Sequence, residues 1–184
     1  MKIAIDIDDT LTNTKDNQKK LWKEYINNYP NNNYNEELPH NINEFDAGEY
    51  IDKFWELYRY KLSFESTYKQ DASKIIDQLK NDGHELCIVT ARPDSGYDDL
   101  KGRIKKGLQN NNIHIETIHT DAKDKGPYCQ KHNFDLLIDD SIKQIESANL
   151  HGLKTILFNH NESYKGLQTT TWKELYNIIK ELNK

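Results

Sequence analysis

The sequence predicts an α/β protein: a Rossmann-like three-layer core on a five-stranded parallel sheet, with a small helical cap inserted after the first strand. Three observations carry the prediction. Five short apolar runs recur along the 184 residues, "KIAIDID", "HELCIVT", "IHIETIH", "FDLLIDD" and "LKTILF". Amphipathic stretches of helical period alternate with them, the signature of βαβ units whose crossovers are right-handed. About 60 residues separate the first run from the helix that should follow it, where a strand and its helix are ordinarily joined by a few.

In the first run Ile3, Ala4, Ile5 and Ile7 are apolar without alternation, as in a central strand buried on both faces. The segment 13–70 is then the cap, leaving 1–12 and 71–184 as the core. Within the cap, "NQKKLWKEYINNY" sets Leu21, Trp22, Tyr25, Ile26 and Tyr29 on one helical stripe, and "GEYIDKFWELYRYKL" does the same with Tyr50, Ile51, Phe54, Tyr58 and Leu62. The polar "YPNNNYNEELPHN" between them reads as loop. The core resumes with "DASKIIDQLKNDG", whose Ala72, Ile75, Ile76 and Leu79 share a face that ends at Gly83. "SIKQIESANLHG" offers Ser141 as cap, Ile142, Ile145 and Leu150 as apolar positions and Gly152 as stop. The last helix, "TTWKELYNIIKELNK", turns Leu175, Ile178, Ile179 and Leu182 to the sheet.

A formal charge of −5 provides no basic footprint, which argues against a large nucleic-acid surface. Two cysteines, Cys87 and Cys129, make no disulfide framework, and no window approaches the ~18 apolar residues of a membrane span. With no leader-like start before "IAIDIDDT", the expectation is a cytoplasmic protein with no membrane partner. Whether it is a monomer or a homodimer stays open.

The chemistry gathers at the ends of the apolar runs, where ligands bind in open α/β sheets. Asp6 and Asp8 follow the first run, Thr90 the second, Lys125 the third, and Asp139 with Asp140 close the fourth. Carboxylates in such a place need compensation, because an unpaired buried charge costs several kcal/mol. While the backbone stays extended, Asp6 and Asp8 point the same way. With one of the later pair they ask for a hard cation on oxygen ligands, for which Mg²⁺ is the natural choice. Lys125 adds a fixed positive charge, and a Thr90 hydroxyl beside the N-terminus of the following helix would bond an anion's oxygens. Such a set suits phosphoryl transfer.

"DIDDT", "VTAR", Lys125 and "LIDD", in this order, resemble the four motifs of the haloacid dehalogenase (HAD) superfamily of aspartate-nucleophile phosphohydrolases, over nearly the whole chain. "TARP", "LLIDDS" and the place of the insertion look most like its 5'(3')-deoxyribonucleotidase-like branch. The resemblance implies that Asp6 attacks phosphorus, that Asp8 serves as acid and then base, and that Thr90 and Lys125 complete the catalytic set. It implies a metal held by Asp6, the backbone carbonyl of Asp8 and Asp140, with Asp139 acting through water or orienting Lys125. Thr90, Ala91 and Lys125 would meet the phosphate of a small ester, a nucleotide above all, and Arg92, which has no firm counterpart in the superfamily's motifs, is a further candidate to reach it. Asp9 stands where that superfamily commonly has glycine, a place aspartate tolerates through its access to left-handed backbone. Lys123 is the alternative to Lys125, which is favoured by the Gly126-Pro127 that follows it.

The cap aromatics read first as helix–helix packing, while Trp22, Phe45 and Trp55 are the candidates for stacking on a base. His119 ends a strand and is a candidate to line the cleft; Cys129 has no evident base. The expected activity is an Mg²⁺-dependent phosphomonoesterase acting on a nucleoside monophosphate. The alternatives are a phosphatase of sugar phosphates or of polynucleotide 3'-phosphate, and a receiver-like phosphoacceptor domain.

Overall fold

The structure, a computed structural model, describes residues 1–35, 37 and 48–183. The described chain forms two compact units, one of Met1–Thr12 with Tyr68–Lys184 and one of Asn13–Thr67.

The first unit is built on strands β1 (Lys2–Ile5), β2 (Glu85–Val89), β3 (Thr117–His119), β4 (Leu136–Asp139) and β5 (Lys154–Leu157). They form one sheet, all parallel, in the order β3-β2-β1-β4-β5. The five apolar runs are thus the five strands, although "IHIETIH" contributes only its last three residues. β1 is central, with Ile3 level with Leu86 on one side and Leu136 on the other. That position explains its unbroken apolar character, since both faces are covered.

Numbered in chain order, α1 (Thr14–Asn28) and α2 (Glu49–Phe64) lie in the second unit, and the first unit holds α3 (Ala72–Asn81), α4 (Leu100–Asn110), α5 (Lys125–Lys131), α6 (Ile142–Leu150) and α7 (Trp172–Leu182). Chain direction reverses about β1: β2 and β3 are laid down on one side of it, β4 and β5 on the other. Right-handed crossovers in opposite directions put their helices on opposite faces, which yields three layers. On one face Ala4, Cys87, Val89 and Leu137 pack with Cys129, Ala148 and Phe134. The reversal also parts the loops that leave β1 and β4, and this is where such sheets bind ligands. Thr12 and Tyr68 form an antiparallel bridge, so the points at which the chain leaves and re-enters this unit are adjacent.

Gly83 and Gly152 follow α3 and α6 with φ of 83° and 77°, the left-handed stop that the sequence signals. Two details of α6 differ from expectation. Ser141 holds the N-cap position without a side-chain cap bond, and its N–H donates to Asp139 Oδ1 at 2.9 Å. Leu150 is 86% exposed, and Ala148, three residues after Ile145, takes the buried place instead.

The second unit pairs α1 (Thr14–Asn28) with α2 (Glu49–Phe64). Leu21, Trp22, Tyr25 and Ile26 of α1 meet Ile51, Phe54, Tyr58 and Leu62 of α2 in a core of its own. Trp22 is fully buried, with the rings of Tyr25, Tyr34, Tyr50 and Phe54 at centroid distances of 5.3–6.1 Å. Its indole N–H donates to the Asn35 carbonyl at 3.2 Å. This corrects Trp22 as a base-stacking candidate: its ring is spent on packing. Trp55 is half-buried, edge-on to Phe54. Phe45 lies outside the described residues.

Candidate active site

Asp6 follows β1 and its N–H still donates to Ile138 of β4 at 3.0 Å, so the ends of the two adjacent strands are tied at this residue. The extended backbone stops there. Leu11 and Thr12 both return their N–H groups to the carbonyl of Ile7, closing a tight turn through Asp8, Asp9 and Thr10. Asp9 takes φ 58° in that turn, the left-handed conformation that aspartate adopts at small cost. As a result Asp6 and Asp8 take different partners. Trp172 pins the turn from α7, its indole N–H donating to the Thr10 carbonyl at 3.1 Å.

Asp6 is met by Lys125. The ammonium donates to Asp6 Oδ1 and to Asp139 Oδ2, each at 2.5 Å, and is 2% exposed. It is the first residue of α5, whose N-cap Asp124 accepts from the Gly126 N–H and from the Ser147 hydroxyl. Its own N–H donates to Gln144 Oε1 of α6 at 2.9 Å. Gly126 has a steric reason: a Cβ there would lie 2.6 Å from the backbone of Ser147, so only glycine lets α5 approach α6 this closely. Pro127 falls in the first turn, where its missing N–H costs nothing. Lys123 is exposed, so of the two lysines it is Lys125 that the fold brings to the carboxylates.

Asp6, Asp139 and Asp140 each offer an oxygen, and these oxygens lie within 4.8 Å of one another. Burial pushes the Asp6 carboxyl well above its usual range; Lys125 pulls it down, and Asp139, Asp8 and Asp140 push it further up. Burial disfavours the charged form of Lys125, but Asp6 and Asp139 outweigh it and hold the ammonium protonated. Four carboxylates therefore crowd two cations, Lys125 and Arg92, a surplus of negative charge that a divalent cation would offset. An all-oxygen donor set of this kind fits Mg²⁺.

Asp8 pairs with Arg92 in a fork: Nε to Oδ2 at 3.0 Å and Nη2 to Oδ1 at 2.7 Å. The guanidinium is 9% exposed and the Asp8 side chain 38%. Sequence reasoning assigned Arg92 to a phosphate and missed this pair; "VTAR" marks the residue but not its partner.

Thr90 is buried after β2, its N–H bonded to His119 and its carbonyl to Ala122, and its Oγ1 accepts from the Arg92 N–H at 3.3 Å. It does not sit at a helix N-terminus, contrary to the sequence reading. Pro93 keeps Arg92 out of helical backbone, Gly96 turns at φ 90°, and α4 starts only at Leu100. Ala91 is exposed. His119 is only partly buried and contacts Tyr128 at 2.9 Å from Nδ1. Burial pushes the Cys129 thiol up to about 12, which leaves it inert.

The parallel sheet that carries this acidic cluster and buried lysine at its switch point has a fold that solved structures share. No protein-family model matches the chain, and no curated protein matches it by sequence. A haloacid dehalogenase-like hydrolase from Streptococcus pneumoniae is 14% identical, with 96% of this chain and 97% of that one covered at a TM-score of 0.69. A predicted phosphatase from Clostridium acetobutylicum is 16% identical, with 97% of each chain covered and a TM-score of 0.69. A predicted phosphoglycolate phosphatase from Haemophilus somnus is 15% identical, with 97% of each covered and a TM-score of 0.66. At these identities the likeness is one of fold. Among the described residues no helix is long and apolar enough to cross a membrane.

Proposed function

We propose that the protein is an Mg²⁺-dependent phosphomonoesterase that works through an aspartyl-phosphate on Asp6. The observation that carries this reading is the buried bridge Asp6–Lys125–Asp139, with Asp140 beside it, at the switch point of the sheet. Asp6 Oδ attacks phosphorus as the ester P–O bond breaks, and Asp8, having first taken up a proton from solvent, delivers it to the departing alcohol. Asp8 then takes a proton from water, whose oxygen attacks phosphorus; the P–O bond to Asp6 breaks and inorganic phosphate leaves. Lys125 holds Asp6 in place throughout. Asp6, Asp140 and the Asp8 carbonyl would hold Mg²⁺, which supplies charge neutralisation between the anionic nucleophile and the anionic ester.

The substrate we infer is a nucleoside monophosphate, supported by the "TARP" and "LLIDDS" resemblance, with the inserted unit acting as a cap that selects the leaving group. A screen of nucleoside monophosphates against sugar phosphates tests the substrate, and preference for a sugar phosphate overturns it. The phosphatase reading is tested with p-nitrophenyl phosphate: Mg²⁺-dependent hydrolysis that Asp6→Asn abolishes supports it, and equal turnover by that variant refutes it.

A further inference from the structure

The fork between Arg92 and Asp8 conflicts with the duties given to Asp8. Both of its oxygens already accept from one guanidinium, and a bidentate pair of this kind is among the stronger charge-assisted contacts. A carboxylate so held is not at liberty to turn toward a leaving oxygen or a water. Opening the fork unaided would leave a nearly buried guanidinium without its main counter-charge, a costly state. Something anionic must therefore take Arg92 as Asp8 lets go. The approach is open on the Asp8 side, whose carboxylate is over a third exposed while Arg92 is not. The neighbourhood is right as well: Arg92 donates its backbone N–H to Thr90 Oγ1, and its guanidinium lies within electrostatic reach of Asp6.

We propose that Arg92 is a positioning residue with two partners in turn, Asp8 before substrate binds and the phosphoryl oxygens afterwards, so that the substrate itself releases the acid–base group. The inference rests on the phosphatase reading above and adds to it a gate. Asp8 is withdrawn until a phosphoryl group arrives. Anion affinity carries a standing penalty, because each phosphate must displace a carboxylate from the arginine.

The penalty is measurable without turnover, by calorimetric titration of the Mg²⁺-loaded protein with inorganic phosphate in a double-mutant cycle. Asp8→Asn frees Arg92 and should tighten phosphate about tenfold, the scale of one charge-assisted bidentate contact. In an Arg92→Gln background the same change should tighten it by less than about twofold, leaving only the general effect of removing one negative charge. Arg92→Lys, which keeps the charge and loses the fork, should fall between and carries the cycle if Arg92→Gln fails to fold. A gain that survives without Arg92, an absent gain, or no phosphate binding overturns the exchange. If p-nitrophenyl phosphate is still hydrolysed in those cases, the phosphatase reading stands alone; if it is not, both fall.

Discussion

Lys125 and Asp6, 119 positions apart in the chain, meet at 2.5 Å in a site where their side chains are 2% and 8% exposed. The ammonium also holds Asp139, so one cation compensates two buried carboxylates on adjacent strands. Breaking such a pair from one side leaves uncompensated charge in a poorly solvated place. Lys125→Met should lower stability by about 3–5 kcal/mol in urea denaturation and abolish phosphatase activity.

Gly126 makes that contact possible by letting α5 lie against Ser147. Gly126→Ala should force the two helices apart, costing about 1–3 kcal/mol and moving the ammonium off Asp6. The check is a crystal structure of the variant alongside its urea midpoint; an unshifted Lys125 with full stability would show the approach to be less tight than described.

Much of this was legible in the chain. The five apolar runs locate the strands, and Asp6, Lys125 and Asp139 are legible because each closes or follows one of those runs, where a buried carboxylate needs a compensating partner. The places that resisted are those where tertiary context decides. Nothing local tells that Leu150 faces solvent while Ala148 is buried, since both fit a helical stripe. Thr90 reads as lying beside a helix N-terminus until Pro93 and Gly96 are seen to delay α4 to Leu100. The Arg92–Asp8 fork joins residues 84 apart and has no periodicity to betray it.

Trp22 shows the same limit in the second unit. Its stripe is correct, but only the structure shows the ring enclosed by Tyr25, Tyr34, Tyr50 and Phe54. Trp22→Ala should therefore cost about 3–5 kcal/mol as a core cavity. Its effect on kcat/KM should be alike for nucleotides and for p-nitrophenyl phosphate; a loss confined to nucleotides would restore the stacking role.

Two histidines set an acid limit on stability. Burial, with help from the N-terminal ammonium, lowers the pKa of His84; burial, then His132, Lys2 and Lys101, lowers that of His119. Each is neutral in the fold at pH values where the unfolded chain binds a proton. Their contribution is thus fully present above about pH 6.5 and is lost as pH falls through the lowered folded values. Urea midpoints should decline on acidification from pH 7.5, and His84→Gln with His119→Gln should each flatten the slope; a wild-type slope unchanged in both variants would contradict this.

The central claim is that Asp6 carries the phosphoryl group. During turnover, rapid quenching and borohydride reduction convert an acyl phosphate to homoserine, which peptide mass spectrometry locates. The account predicts homoserine at position 6 alone, and none in Asp6→Asn. Reduction at another aspartate, or steady phosphate release with position 6 never labelled, would contradict it.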